Sequence, residues 1–499
     1  MKLKKNKYII YFFLTIILFK PLWLFESSSI EDSGDDISYW LHSATIAFDF
    51  DIEYIDDFKS DKVLVNNITN TPIHYPGSGY LSSPFVFLFS MIDNFFSNKI
   101  DRLNPTGSFA YLGYFFSSLF YTYLGYYLIL KTIKANNFKI DPGFLFLSFI
   151  GTLVHFSFTR FLMSHSIEFF LCSLLIYLFT RKNFITKDSE ITYIILVYFL
   201  LLITRPSTFL YSLMYLLIFK NKFKLKIFYT NYISIFAFAL LTNLYVNLSV
   251  KLYQSKFFFL SNYGIQAKEY QDSLNLITFF NGIQKFPNLI FSTNMGVIWT
   301  FPILVFALIA IFKLSERFKV KLYYLIYIFS SLSVLFIWQG REISYGQRLL
   351  IGIIPICIYL IAKVEIKFSF YLYPVMIWTY LGYLYFYSSK LLTLTKGVNL
   401  WGKESLYTAS NYFQYLLSNL FNIENLGYIF TKNIFSINFF NLISFENIPL
   451  FIFNFVPASK ISDLQYIANL YFNIDKMYLL ISTLLIMFFS YKYAKLITN

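Results

Sequence analysis

Long apolar runs alternate with short polar turns along most of the chain. A run that crosses a bilayer needs roughly 20 apolar residues, because about 30 Å of hydrocarbon must be covered at about 1.5 Å per residue. The pattern predicts helical spans near 8–25, 109–130, 143–160, 165–180, 190–204, 206–219, 227–249, 296–312, 322–338, 347–362, 368–388 and 476–494. That is about twelve spans, and so an all-α polytopic membrane protein. Arg205-Pro206 separates two short runs, and proline there marks either a tight turn between spans or a kink within one. Residues 84–96 are apolar but too short to span, and read as an interfacial or re-entrant helix.

The polar turns set the orientation. Basic residues gather at Lys131, Lys134 and Lys139, at Arg181, Lys182 and Lys187, at Lys220 to Lys226, at Lys313 to Lys321, at Lys363 and Lys367, and at Lys492 and Lys495. The segments between them are longer and poorer in Lys and Arg, which is the positive-inside pattern with both termini cytoplasmic. The long outside segments are 26–108, 250–295 and 389–475. The chain then divides into a transmembrane module, 1–388, an extracytoplasmic cap, 389–475, and a last helix with its tail, 476–499. No internal repeat is evident, which counts against a secondary transporter.

Composition agrees with lipid as solvent. Of 499 residues 57% are hydrophobic and 14% charged, more apolar surface than a soluble chain can hide. The 63 Phe and 43 Tyr suit interfacial belts, alongside a bias that also inflates Ile, Asn and Lys. The net charge of +14 does not point to nucleic acid, because the basic residues lie in turns between spans and not on one face or in a tail. The two cysteines, Cys172 and Cys357, sit in apolar runs and form no disulfide framework. The first run follows Lys2, Lys4 and Lys5 like a signal peptide, but lacks a small-residue cleavage site and reads as an uncleaved helix. The expected location is a bacterial inner (plasma) membrane.

Candidate chemistry clusters on the outside face. Gly34-Asp35-Asp36 follows the first span, and two adjacent carboxylates repel, which raises one pKa or invites a cation. A partly desolvated carboxylate there suits a general base; a solvated acidic loop is the plainer alternative. His74-Tyr75-Pro76-Gly77-Ser78-Gly79 ends the first loop. Its glycines permit close backbone approach to a ligand, and its imidazole suits a phosphate or a metal, against an ordinary turn before a helix. Arg341 and Arg348 flank Tyr345 at the outer end of the span 322–338, against the positive-inside trend. Guanidinium pairs bidentately with phosphate, so they suit an anionic headgroup, with pairing to Glu342 as the alternative. Arg160, His165, Glu168 and Arg205 add ionisable groups at span ends, where an interhelical hydrogen bond is the alternative for Glu168. Asn294-Met295-Gly296 and Lys268 are weaker candidates.

Gly34-Asp35-Asp36 with Tyr39, then His74, Pro76 and Gly77, resembles the first outside loop of integral-membrane glycosyltransferases of the GT-C fold. That superfamily includes the protein O-mannosyltransferases and the aminoarabinose lipid A transferases. Met163-Ser164-His165-Ser166, Thr204-Arg205-Pro206 and Ser344-Tyr345-Gly346-Gln347-Arg348 with Pro355 echo further family segments in the expected order. The resemblance covers roughly 8–362 and does not extend to residues 389–475. It implies many membrane helices, amphipathic helices in the first outside loop, and a polyprenyl-phosphate-linked sugar as donor. It implies inversion at the anomeric carbon and a lipid, glycan or protein acceptor. Asp35 would be the general base and Asp36 its neighbour or a cation ligand. Relatives often carry Glu at the second position, so which acid is the base stays open. His74, Arg341 and Arg348 would hold the donor phosphate, with Tyr345, His165 and Arg205 around the substrate. A divalent cation on Asp36 and His74 is the one cofactor the residues suggest. A polysaccharide polymerase or O-antigen ligase would share the arginines without needing the Asp pair. A flippase or transporter would place its ionisable groups at mid-bilayer.

Overall fold

The computed structural model describes residues 34–51, 74–103, 108–149, 153–158, 160–181, 188–219, 286–291, 296–337 and 347–366, with a few single positions besides. Apart from such positions, the spans expected at 8–25, 227–249, 368–388 and 476–494 and the cap at 389–475 lie outside the described residues, as do Lys268, Asn294 and Met295.

The described residues form helices, with no strand among them. In chain order these are α1 (Gly34–Phe48), α2 (Gly77–Phe95), α3 (Phe109–Ala135), α4 (Pro142–Ser148), α5 (Val154–Phe158), α6 (His165–Thr180) and α7 (Asp188–Thr204). There follow α8 (Pro206–Ser212), α9 (Tyr215–Ile218), α10 (Phe286–Phe291), α11 (Val297–Thr300), α12 (Ile303–Lys313) and α13 (Phe318–Ile337). A 3₁₀ helix (Arg348–Ile353) leads into α14 (Ile354–Val364). By length and composition one described segment, Phe318–Leu335 in α13, could cross a membrane alone, and α6, α12 and parts of α7 to α9 are shorter apolar helices.

The helix at 84–96 differs from expectation in starting at Gly77, with Pro84 inside it. Pro84 has no N–H for the Tyr80 carbonyl, and the Ser83 hydroxyl donates to that carbonyl instead, at 2.8 Å. Asp93, fully buried in the last turn of α2, accepts from Phe109 N at 2.9 Å and Ala110 N at 2.7 Å. Ser108 caps Tyr111 N at 3.1 Å. Three of the unsatisfied N–H groups that open α3 are thereby paired, and α2 and α3 become a tight antiparallel pair.

Several apolar runs are broken where hydropathy is continuous. The run 143–160 splits into α4 and α5, and 206–219 into α8 and α9. Phe301-Pro302 divides 296–312. Pro355, in the first turn of α14, lacks the N–H that would bond Ile351, and the 3₁₀ turns end just before it. At Arg205-Pro206 the chain turns back: the Tyr198 hydroxyl in α7 donates to the Ser212 carbonyl in α8 at 2.9 Å. In one continuous helix those residues would stand about 21 Å apart. Proline disfavours the αR conformation in the residue before it, and Arg205 adopts φ −150°, ψ 88°.

Gly77 and Gly79 do not open space for a ligand, as the sequence suggested. A Cβ on Gly79 would lie 2.7 Å from Tyr39 O, and one on Gly77 2.8 Å from Ile203 O. The glycines let α2 press against α1 and against the end of α7. Lysines mark the opposite ends of the bundle. Lys131, near the C-terminus of α3, lies over the Tyr177 ring at 5.0 Å, and Lys363, at the end of α14, pairs with Glu316 between Tyr324 and Tyr359.

Candidate functional site

The ionisable residues singled out in sequence come from the starts of separate helices and meet at one end of the bundle. Asp36, in the first turn of α1, is fully buried. Arg160, in the turn between α5 and α6, donates from Nε at 3.0 Å and Nη2 at 2.9 Å to Asp36 Oδ2. One turn along α1, the Tyr39 ring packs against His74 with centroids 4.8 Å apart, and the Ser164 hydroxyl lies 3.5 Å from the Tyr39 hydroxyl.

The first turn of α6 supplies His165 and Glu168, both fully buried. His165 Nδ1 lies 3.1 Å from Glu168 Oε2, and Arg205 Nε lies 3.5 Å from the same oxygen. The Thr208 hydroxyl donates to Glu168 Oε1 at 2.5 Å, and Gly352 of the 3₁₀ helix packs against the same oxygen. Arg205 lies near both Tyr39 and Arg348, which joins this group to the Asp36 side. Gln347, buried just before Arg348, holds a left-handed backbone at φ 58°, sparsely populated by residues with a side chain.

Asp36, His74, Arg160, His165, Arg205 and Arg348 are thus brought together. The Asp35 side chain, Arg341 and Tyr345 lie outside the described residues. Among the described residues no group of three or more His, Cys, Asp or Glu could hold a metal ion. Among the described residues the cation suggested on Asp36 and His74 finds no third carboxylate, imidazole or thiolate ligand, and Asp36 Oδ2 already faces a guanidinium. Three arginines and the positive N-terminal ends of α1, α2 and α6 make the donor set one for an anion.

No family model, no curated protein and no solved structure matches this chain.

Two members of the site were not found in the sequence. Thr208 stands one helical turn beyond Arg205, so the spacing that places both on one face was available. His42 gave no such signal. It is fully buried in α1, where Nε2 lies 2.8 Å from the His74 carbonyl and Nδ1 2.7 Å from the Tyr54 hydroxyl. The carbonyl can only accept, so Nε2 carries the proton and Nδ1 accepts from Tyr54. Burial lowers its pKa from 6.5 to about 3; the His74 carbonyl works against that, and charge on the His74 ring adds to it.

Because the folded value lies below the unfolded one, protons favour the unfolded chain. The contribution of neutral His42 is complete above about pH 6.5 and shrinks as pH falls toward about 3. Thermal unfolding of the purified protein between these pH values will show a falling midpoint. His42→Gln will be less stable at neutral pH and flatter across the window; a variant as steep as the wild type would remove His42 as the cause.

Proposed function

We propose that the chain is an integral-membrane glycosyltransferase of GT-C type, with about twelve spans and both termini cytoplasmic. It moves a sugar from a polyprenyl-phosphate-linked donor to a lipid, glycan or protein acceptor on the extracytoplasmic face. The observation that carries this reading is that a first-loop aspartate, Asp36, pairs with Arg160, and that Tyr39, one turn along the same helix, lies near Arg205 and through it Arg348. The lysine-rich ends lie opposite, as a positive-inside topology requires.

The chemistry follows from that arrangement. An acidic side chain at the start of α1 takes the proton of the acceptor hydroxyl, whose oxygen attacks the anomeric carbon. The carbon–oxygen bond to the lipid phosphate breaks, and its electron pair stays on the phosphate oxygen. Arg348 and Arg205 meet that growing negative charge as fixed cations already in place before the bond breaks. Attack from the face opposite the leaving phosphate inverts the anomeric centre. His74, packed against Tyr39, orients the substrate, and the fully buried His165 acts through Glu168.

The test compares surface glycans and lipid extracts from cells carrying the wild type and Asp35→Asn/Asp36→Asn at matched membrane levels. Loss of one sugar from a surface glycan, with its polyprenyl-phosphate donor accumulating, is the expected result. Unchanged glycans with normal donor levels would end the transferase reading.

A further inference from the structure

We infer that Glu168 is a positioning residue that sets the distance between Arg205 and Arg348, so that both guanidiniums engage one lipid-linked phosphate; this rests on the transferase reading. A single buried carboxylate ties three segments together. It belongs to α6, it takes Thr208 of α8 on one oxygen and Arg205 on the other, and Gly352 of the 3₁₀ helix packs directly against it. Thr208 is one turn after Arg205, and Gly352 little more than one turn after Arg348. The carboxylate therefore grips each arginine-bearing segment about one turn from its arginine.

The 3₁₀ helix docks so closely that Gly352 admits no side chain. A Cβ there would lie 2.8 Å from Glu168 Oε1, 2.6 Å from Thr208 Cγ2 and 2.3 Å from the Tyr211 hydroxyl. Arg205 and Arg348 are near enough to repel one another. Left to themselves they would separate, and a phosphate would find one cation where the clamp offers two. Glu168 supplies the negative charge that holds the first, and its close packing against Gly352 seats the segment carrying the second. Being fully buried, it acts through the arginines and not on the sugar.

The experiment uses the full chain in nanodiscs, with farnesyl phosphate as probe and farnesol as the neutral control. Wild type will bind the phosphate, and Glu168→Gln will bind it at least tenfold more weakly with farnesol binding unchanged. Glu168→Asp, which keeps the charge on a shorter stem, will recover part of the loss. Hydrogen exchange in 205–212 and 347–353 will rise in Glu168→Gln, which reports the clamp without any ligand. If that variant does not fold, Gly352→Ala leaves Glu168 in place and displaces only the 3₁₀ helix, with the same loss expected. Wild-type affinity for farnesyl phosphate in either folded variant overturns the inference, as does unchanged exchange in both segments. A wild type that ignores farnesyl phosphate overturns the transferase reading instead, and the exchange data then judge the clamp alone.

Discussion

Asp35→Asn will lower the transfer rate by about 10²–10⁴-fold, the usual contribution of a positioned general base, while leaving the unfolding temperature unchanged. The two adjacent acids are not equivalent. Oδ2 of Asp36 accepts two N–H groups of Arg160, and the whole side chain is shut away from solvent. A carboxylate committed in this way holds the helix start in place. On the transferase reading the base role falls to its neighbour. Single-turnover transfer by Asp35→Asn and Asp36→Asn, each checked for folding, separates the two. Full activity in Asp35→Asn together with a folded but inactive Asp36→Asn would reverse the assignment.

Arg160→Ala will cost stability before it costs chemistry. Removing one partner of a buried ion pair leaves the other charge without its counterion and typically costs about 3–5 kcal/mol. Asp36 has no solvent to fall back on, and Arg160 is 22% exposed, so the penalty falls mainly on the carboxylate. Asp36→Ala will be destabilised less, because the guanidinium it releases can reach water. The double variant will be more stable than the sum of the single losses predicts, since neither orphaned charge remains. Thermal unfolding of the three variants in one detergent measures this cycle. An Arg160→Ala protein that unfolds at the wild-type temperature would show that the pair contributes nothing.

Some elements could be read to the residue. The expected run 165–180 is α6, His165–Thr180, because polar residues bound a continuous apolar stretch at both ends. The basic groups at Lys131 and Lys363 do stand at the C-terminal ends of their helices. Other boundaries moved. Hydropathy reports which segments avoid water and is silent on the backbone, so it passed over the breaks at Leu213-Met214, Phe301-Pro302 and Ile353-Ile354. It also stopped α3 at 130, although Lys131 and Lys134 continue the helix with charges that suit its C-terminus.

For the candidate site the sequence supplied residue types and their sidedness. Asp36, His74, Arg160, His165, Arg205 and Arg348 stand out because a charge in or beside an apolar run is costly and is kept where it is used. Their pairing was not legible. Asp36 and Arg160 are 124 positions apart, and Glu168 meets Thr208 across 40. No local period relates such positions. Only the packing of α1, α6, α8 and the 3₁₀ helix decides which carboxylate meets which guanidinium. The same packing turned Gly77 and Gly79 from ligand contacts into helix contacts. Apolar periodicity along one segment dictates helices and the end of each that is polar; the partners of a buried charge depend on the three-dimensional meeting of several segments.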